Sequence, residues 1–319
     1  MVWGRVLMVA LTPLLFAPHA VRAIDYPEKP VRIVVPTGAG GAVDVVARLL
    51  GNFLQPRLGQ SVVIENKPGA QTLLGAKYVA HTPPDGHTLL FSGSISAFPV
   101  FSRDPGVNVS RDFEFISTVI RTPVIIAVKA SRPFKTFGDM AAYSKANPGK
   151  LNFASYGRTV WLMTEMLNQA AGIKATHIPF SVPPQAAQAV ASGDADYFIS
   201  TIPTLQPVVE SGRVRMLGVT TNARSPNLPD IPSLAEIGIK SDDLVTWHGL
   251  FAPTKTPRSI IDRLNSEIRE FLRQPEIIGR LKTMGFEPYA TTPEEFRDFF
   301  QREEKSLIEA ARAIGIKPE

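Results

Sequence analysis

The 319-residue chain contains no cysteine, which excludes disulfides, thiolate metal sites and a lipid-modified cysteine behind a leader. Histidine is scarce. Beyond the first residues only His81, His87, His177 and His248 occur, none at the i, i+4 spacing of a helical zinc pair, and no Gly-x-Ser-x-Gly elbow precedes a helix. Charge of one sign is not concentrated either: the 34 basic residues face 29 acidic ones without a Lys/Arg block, and two of the basic ones, Arg5 and Arg22, lie in the leader described below. That balance argues against nucleic acid as a partner, whose usual footprint is a basic stripe, yet still favours small acidic solutes. No low-complexity run is present, and no apolar run reaches the roughly 20 residues that span a membrane.

What is there begins with a leader. Arg5 gives a positive start, Val6 to Ala17 is apolar, and Val21-Arg22-Ala23 is a small-x-small cleavage site. Residues 1–23 therefore read as a secretory signal peptide cut near Ala23, which places the mature chain in the periplasm. The remainder is long enough for two domains of ordinary size.

The organising stretch is Val31 to Leu54. Val31-Arg32-Ile33-Val34-Val35 is a short, branched strand, apolar on both faces as a strand covered by helices should be. Val45, Val46, Leu49, Leu50, Phe53 and Leu54 recur in pairs every four residues and predict a helix. Between them, Pro36-Thr37-Gly38-Ala39-Gly40-Gly41 lets the backbone approach a ligand at a helix start, where outward N–H groups and the dipole favour an anion. Gly38-x-Gly40-Gly41 has neither the dinucleotide spacing nor a phosphate loop's Gly-Lys-Ser/Thr, so no nucleotide is specifically implied, and a tight turn that binds nothing is the plain alternative. Asp44, in the first helical turn, reads as a helix-stabilising carboxylate and an acceptor for water or ligand, not as a base.

The strand–helix alternation repeats. Strands are predicted at Val62–Asn66 and His87–Phe91 with a helix at Leu73–Ala80 between, then two extended runs, Phe113–Ile120 and Val124–Lys129. The pattern restarts with helices at Phe137–Lys145, Val160–Ala171 and Gln185–Ala191 between strands at Leu151–Ser155, Thr176–Pro179, Ala195–Ser200 and Val214–Thr220. Proline-rich Ser225–Pro232 leads back through Val245–Ala252 to three closing helices, the last opened by the capping box Thr292-Pro293-Glu294-Glu295. This is an α/β chain of two lobes with mainly parallel sheets: 24–122 plus 228–319 form the first lobe and 123–227 the second. Ligands of open parallel sheets sit beyond the carboxyl ends of the strands, so the crevice lies between the lobes.

The loops expected at those ends share hydroxyls, glycines and free N–H groups: Thr37–Gly41, Ser92 to Ser96 with Ser94 at its centre, Ser155-Tyr156-Gly157-Arg158-Thr159, Ser181-Val182-Pro183 and Ser200-Thr201. Nothing in them activates a nucleophile; a hydrolase would need a triad assembled from distant residues. Arg158, after a glycine and before a helix, is placed to pair two-pronged with a carboxylate, its alternative being a solvated loop arginine. Tyr156 and Trp161 either stack on a ligand ring or fill the core. His248, beside Trp247, is a packed residue or a pocket-lining one. Binding of this kind needs no metal and no cofactor.

With these loops in place the chain resembles the Bug family, the extracytoplasmic solute receptors of tripartite tricarboxylate transporters. The resemblance runs through Tyr26-Pro27-Glu28-Lys29-Pro30, Ala39-Gly40-Gly41-x-x-Asp44-Val45-Val46-Ala47-Arg48, Glu65-Asn66-Lys67-Pro68-Gly69-Ala70, Pro84-Asp85-Gly86, Pro148-Gly149-Lys150-Leu151-Asn152, His177-Ile178-Pro179-Phe180, Arg224-Ser225-Pro226 and Ala252-Pro253-x-x-Thr256-Pro257. It implies a type II, Venus-flytrap periplasmic binding protein, monomeric and without catalytic activity. Such a receptor closes on a small mono-, di- or tricarboxylic acid and passes it to membrane transporter subunits or informs a sensor kinase. It implies that Thr37, Gly38, Ala39, Gly40, Gly41, Val43 and Asp44 hold one carboxylate, with Ser92, Ser94, Ser155, Tyr156, Arg158, Thr159, Phe180, Ser181 and Thr201 completing the site.

The chain departs from that family where specificity should lie. Ala42-Val43 stands where members carry Gly-Thr, Ser155 to Trp161 replaces a Ser-Ser-Gly-x-Gly-Ser loop, and Ser181-Val182-Pro183-Pro184 replaces a Lys-Gly-rich turn. Two expectations follow: Arg158 takes the far carboxylate of a dicarboxylic ligand, or Tyr156 and Trp161 receive an aromatic acid.

Overall fold

A computed structural model describes residues 26–93, 95–240 and 243–317. The expected leader with its cut near Ala23, and Ser94, lie outside the described residues.

The chain opens with β1 (Val31–Val35), α1 (Ala42–Leu58), β2 (Val62–Asn66), α2 (Leu73–Ala80), β3 (Thr88–Ser92), α3 (Phe98–Phe101), α4 (Val109–Asp112) and β4 (Phe113–Pro123). A middle section holds β5 (Ile125–Lys129), α5 (Phe137–Ala146), β6 (Leu151–Tyr156), α6 (Gly157–Ala171), β7 (Ala175–Phe180), α7 (Pro183–Ser192), β8 (Tyr197–Ser200), α8 (Ile202–Glu210) and β9 (Val214–Val219). β10 (Val245–Pro253), α9 (Arg258–Phe271), α10 (Pro275–Thr283), β11 (Glu287–Pro288) and α11 (Pro293–Ala313) close it.

These strands form two sheets, a six-stranded one in the order β11-β4-β10-β3-β1-β2 and a five-stranded one in the order β7-β6-β8-β5-β9. Both are mixed where mainly parallel sheets were expected. β1, β2 and β3 are parallel, and so are β6, β7 and β8, but β4, β10 and β11 in one sheet and β5 and β9 in the other pair antiparallel to their neighbours. The reason is topological: a strand that leaves one sheet for the other, or returns, enters without the crossover helix that parallel pairing needs.

Side-chain alternation sorts the first core onto two faces. Val31, Ile33 and Val35 of β1 pack with Val46, Leu50 and Leu54 of α1 and with Ile260, Leu264 and Ile268 of α9. Val34 points the other way, to Ala76 and Val79 of α2 and Phe296 and Phe300 of α11. β1 is thus covered on both sides, as its continuous apolar sequence requires.

The crossings are short. Pro123 ends β4 and Ile125 begins β5, while Thr220 lashes the outgoing and returning chain together: its Oγ1 accepts from the Val124 N–H at 3.2 Å and donates to the Leu244 carbonyl at 2.5 Å. The return falls later than the expected residue 228. Leu234, Ile239 and Leu244 are buried in the second core, and the Val219 N–H donates to the Pro232 carbonyl at 2.8 Å, so the described residues 228–240, 243 and 244 stay with the second sheet. α11 adds a third link, laying Leu307, Ala310 and Ala311 against Leu162 and Met166 of α6.

Candidate functional site

The turn after β1 is shaped from beneath. Gly40 takes a left-handed φ of 81°, and its N–H donates to Asp44 Oδ2 at 2.9 Å. Arg48 Nε donates to the same oxygen at 2.9 Å, and Asn66 Nδ2 reaches Asp44 Oδ1 at 2.9 Å and the Thr37 carbonyl at 3.1 Å. Burial by itself would raise the Asp44 pKa, but the donors from Arg48, Gly40 and Asn66 outweigh it and hold the carboxyl below its ordinary range. Asp44 is 2% exposed, and both its carboxylate oxygens are engaged by donors from the turn, Arg48 and Asn66. Val43 likewise turns inward, against the first core. Gly38, Ala39, Gly40 and Gly41 are exposed and Thr37 is half-buried, leaving the outer rim of the turn open.

Helix starts repeat this theme. α1, α2, α6, α7 and α8 each follow a strand of a parallel pair, and none has a side-chain hydrogen bond at its N-cap. Thr201, the N-cap of α8, has its Oγ1 3.3 Å from the Thr204 hydroxyl, not on a first-turn amide. Elsewhere the starts are mixed: α5 and α11 carry full capping boxes on Thr136 and Thr292 and α4 is capped by Asn108, whereas α3, α9 and α10 also lack a side-chain cap. First-turn N–H groups without an intramolecular acceptor are suited to an anion.

The second lobe contributes less than its sequence promised. Ser155 is 1% exposed, and its Oγ lies 2.7 Å from His177 Nε2. That imidazole is sandwiched between Phe153, 5.1 Å away at 27°, and Trp161, 5.3 Å away at 13°. Burial lowers the His177 pKa, so the ring is neutral at pH 7. Among the described residues no carboxylate bonds its other ring nitrogen, so the pair lacks the orienting partner of a serine–histidine nucleophile. Ser155 faces its own sheet, and Trp161 is engaged with His177, the core-filling one of the two roles open to it in the sequence. Tyr156 packs edge-on against Phe198 at 6.0 Å, and burial raises its phenol, with the Ser200 hydroxyl offsetting part of that. Phe180 packs on the second core; Ser181 is exposed beyond β7.

Arg158 is the exception. The expected loop is helical, with Arg158 in the first turn of α6, and its guanidinium lies over the Phe101 ring of the first lobe at 5.3 Å. Arg158 and Thr159 close one wall of a 320 Å³ cavity whose other walls are Ala70 to Leu73, Gly93, Phe98 and Phe101. Ala70, Gln71 and Thr72 carry φ of 46°, 52° and 79°, three successive residues in a left-handed conformation that residues with a Cβ avoid. Gln71, Thr72, Phe98 and Phe101 were not singled out in the sequence, because Ala-Gln-Thr has no turn signature.

Ser92 ends β3 fully buried, with its Oγ unpartnered among the described residues. His248 is half-buried against Phe91 at 6.0 Å; burial pushes its imidazole down to about 4, and Nδ1 has no partner among the described residues. A second cavity, of 330 Å³, lies behind the crossings between α6 and α11 and is lined by Glu303. Glu303 Oε2 accepts from Ser96 Oγ at 2.6 Å and Trp247 Nε1 at 2.7 Å, and burial pushes this carboxyl up to about 7.

Because the folded-state pKa of Glu303 lies above its ordinary 4.5, ionising it opposes folding. The penalty is absent below pH 4.5, grows through the interval to 7, and is complete above it, at most about 3 kcal/mol. Glu303→Gln should thus be more stable than the parent at pH 8 and about equal at pH 4.5. Parallel urea midpoints from pH 5 to 8 in both proteins would contradict this assignment.

Comparison with known proteins is consistent along the length. The model of the tripartite tricarboxylate transporter family receptor matches residues 46–315. The UPF0065 protein in the tcbD-tcbE intergenic region of Pseudomonas sp. (strain P51) is 33% identical over 300 residues, which is 92% of this chain and 89% of that protein. Among solved structures, R. palustris Rpa4515 with adipate superposes at a TM-score of 0.74 and 30% identity over 92% of this chain and 100% of that one. MatC (Rpa3494) from Rhodopseudomonas palustris with bound malate gives 0.68 at 30% identity over 90% and 100%. The periplasmic binding protein BugD gives 0.70 at 31% identity over 92% and 100%.

Proposed function

The chain belongs to the tripartite tricarboxylate transporter receptors, a family of periplasmic solute-binding proteins and not of enzymes, and from that premise we propose that it captures a small organic carboxylate between its lobes and presents it to membrane transporter subunits. In this reading the protein is a monomer, exported by a leader cut near Ala23. Its two bodies are residues 26–123 with 245–317 and residues 124–244.

Two observations carry the proposal: the exposed glycine turn ahead of α1 has no side-chain cap, and Arg158 is the single charged lining residue, among those described, of a cavity walled by both lobes. A micromolar complex requires about −8 kcal/mol. Charge-assisted hydrogen bonds contribute roughly 1.5–3 kcal/mol each, so four or five of them, from turn amides and one guanidinium, supply roughly 6–15 kcal/mol, a range that brackets that need. The adipate and malate of the two R. palustris structures are both dicarboxylates, which supports the same solute class here.

The test is thermal denaturation of the mature chain with mono-, di- and tricarboxylic and aromatic acids. A ligand at about 100 times its Kd stabilises by about 2.7 kcal/mol, a rise of several degrees in Tm for a protein of this size. A flat Tm across the whole acid panel would refute the function.

A further inference from the structure

The 330 Å³ cavity between α6 and α11 shares Thr159 with the cavity at Arg158 and otherwise has its own walls. Its size falls in the range of small-molecule pockets, about 300–1,000 Å³. Met163 and Met166 of α6 supply the wall from the second lobe, and Val245, Tyr289, Phe299 and Leu307 supply much of the wall from the first. The surround is therefore largely apolar, with flexible thioethers facing aromatic rings.

Glu303 brings a carboxylate into that surround. Its Oε2 accepts from Ser96 Oγ and Trp247 Nε1, whereas its Oε1 meets no donor among the described residues. The other titratable groups of the lining are Asp243, Tyr289 and Arg302; α6 and the segment at Ser96 add none among the described residues. Asp243 is committed elsewhere: its Oδ1 accepts from the Asn222 N–H at 2.7 Å and from Asn222 Nδ2 at 2.9 Å, and Arg121 Nη1 stands 3.6 Å from its Oδ2. Arg302 is exposed, and the Tyr289 ring has the Arg121 guanidinium 5.0 Å over its face. Of the two carboxylates, Glu303 is the one with an oxygen left to offer. Ionised, it lacks a counter-charge, and burial accordingly pushes its pKa up to about 7. A cation beside Oε1 supplies that charge, while the apolar walls reward a hydrocarbon chain, roughly fourfold in affinity for each methylene buried.

We propose that this cavity is a second ligand site of the protein, for a small primary amine with an apolar tail: the ammonium donates to Glu303 Oε1, and the tail lies against Met163, Met166 and Phe299. Because both lobes supply walls, the site belongs to the assembled molecule and not to either lobe alone. Such an amine arrives charged, as lysine does with a pKa of about 10.4. Binding therefore requires an ionised Glu303 and releases to solvent the proton that a neutral Glu303 carries. The site is independent of the carboxylate-receptor reading, since its ligand is a cation and its walls exclude the glycine turn.

Calorimetric titration of the mature protein with hexylamine, butylamine and hexanol tests it, on the parent and on Glu303→Gln, in two buffers of different ionisation enthalpy. The parent should bind hexylamine about tenfold more tightly at pH 8 than at pH 6, the ratio of ionised Glu303 at the two values. Proton release should approach one per amine at pH 6 and nearly vanish at pH 8.5. Butylamine, two methylenes shorter, should bind up to about 15-fold more weakly, and hexanol, which lacks the charge, about 10- to 100-fold more weakly. Glu303→Gln keeps an acceptor for Ser96 and Trp247 and should fold; it should lose about 10- to 100-fold for hexylamine and release no proton. A folded parent that binds no hexylamine at pH 8, equal affinity for hexylamine and hexanol, or a Glu303→Gln with parental hexylamine affinity would overturn the site and leave the carboxylate function untouched.

Discussion

Gly93→Ala is expected to destabilise the protein by about 4 kcal/mol or more, the range of severe overpacking against backbone. A Cβ at Gly93 would lie 1.8 Å from the Trp247 carbonyl oxygen and 3.0 Å from His248 Cδ2. The backbone of Gly93 is not left-handed, so the whole cost is spatial. The neighbour is also main chain of β10, paired to β3 through Ser92 and Gly249, and cannot swing aside as a side chain would. Parting the two strands would expose Phe91, Leu250 and Phe251 together. Gly38→Ala is the matched control: no atom lies within 4 Å of its added Cβ, and its φ is ordinary. Its urea midpoint should stay near that of the parent. A folded Gly93→Ala with a parental midpoint would contradict the packing of β3 on β10.

Asp44→Ala should cost about 2–3 kcal/mol and at least tenfold in ligand affinity, because it strips the acceptor from the Gly40 N–H and the Asn66 amide at once. Arg48 is about half exposed, with a side chain at 48%, and water replaces much of its share, which keeps the loss below that of a fully buried pair. Its pH signature is opposite to that of Glu303. The folded-state pKa of Asp44 is depressed below 3.8, so its stabilisation is fully present above that value and lost as pH falls through the folded pKa. Acid unfolding measured between pH 5 and 2 should be shallower in Asp44→Asn than in the parent. If Asp44→Ala bound carboxylates normally, the glycine turn would have to be either self-supporting or irrelevant to the ligand.

These two sites also show what could be read in advance and what could not. The α/β alternation, the strand–turn–helix at Val31–Leu54 and the closing amphipathic helices all depend on neighbours in sequence, and each forms where its periodicity places it. Asp44 shows the limit. Its position in the first turn of α1 was legible, but its partner Asn66 comes from β2, and that register fixes whether the carboxylate meets a ligand or a protein amide. Ser155 and Trp161 depend on tertiary neighbours in the same way. Hydroxyl and indole in a loop-like stretch suggested a ligand surface, whereas His177 on the adjacent strand takes both. Helix α8 was not anticipated, since Pro203 and Pro207 interrupt its pattern, although proline near a helix start is tolerated where no N–H is needed.

By itself the sequence determined the class of chain: two α/β units, an anion-suited turn, no thiol chemistry and no zinc pair. Those properties follow from composition and local spacing, which act over one or two turns of backbone. Only the tertiary structure decided that Arg158 lies over Phe101, that 228–240 stays with the second sheet, and that Glu303 ties Ser96 to Trp247. Each of these contacts joins residues far apart in the chain. They are chosen by the global competition for burial and hydrogen bonds, which no single stretch of sequence encodes.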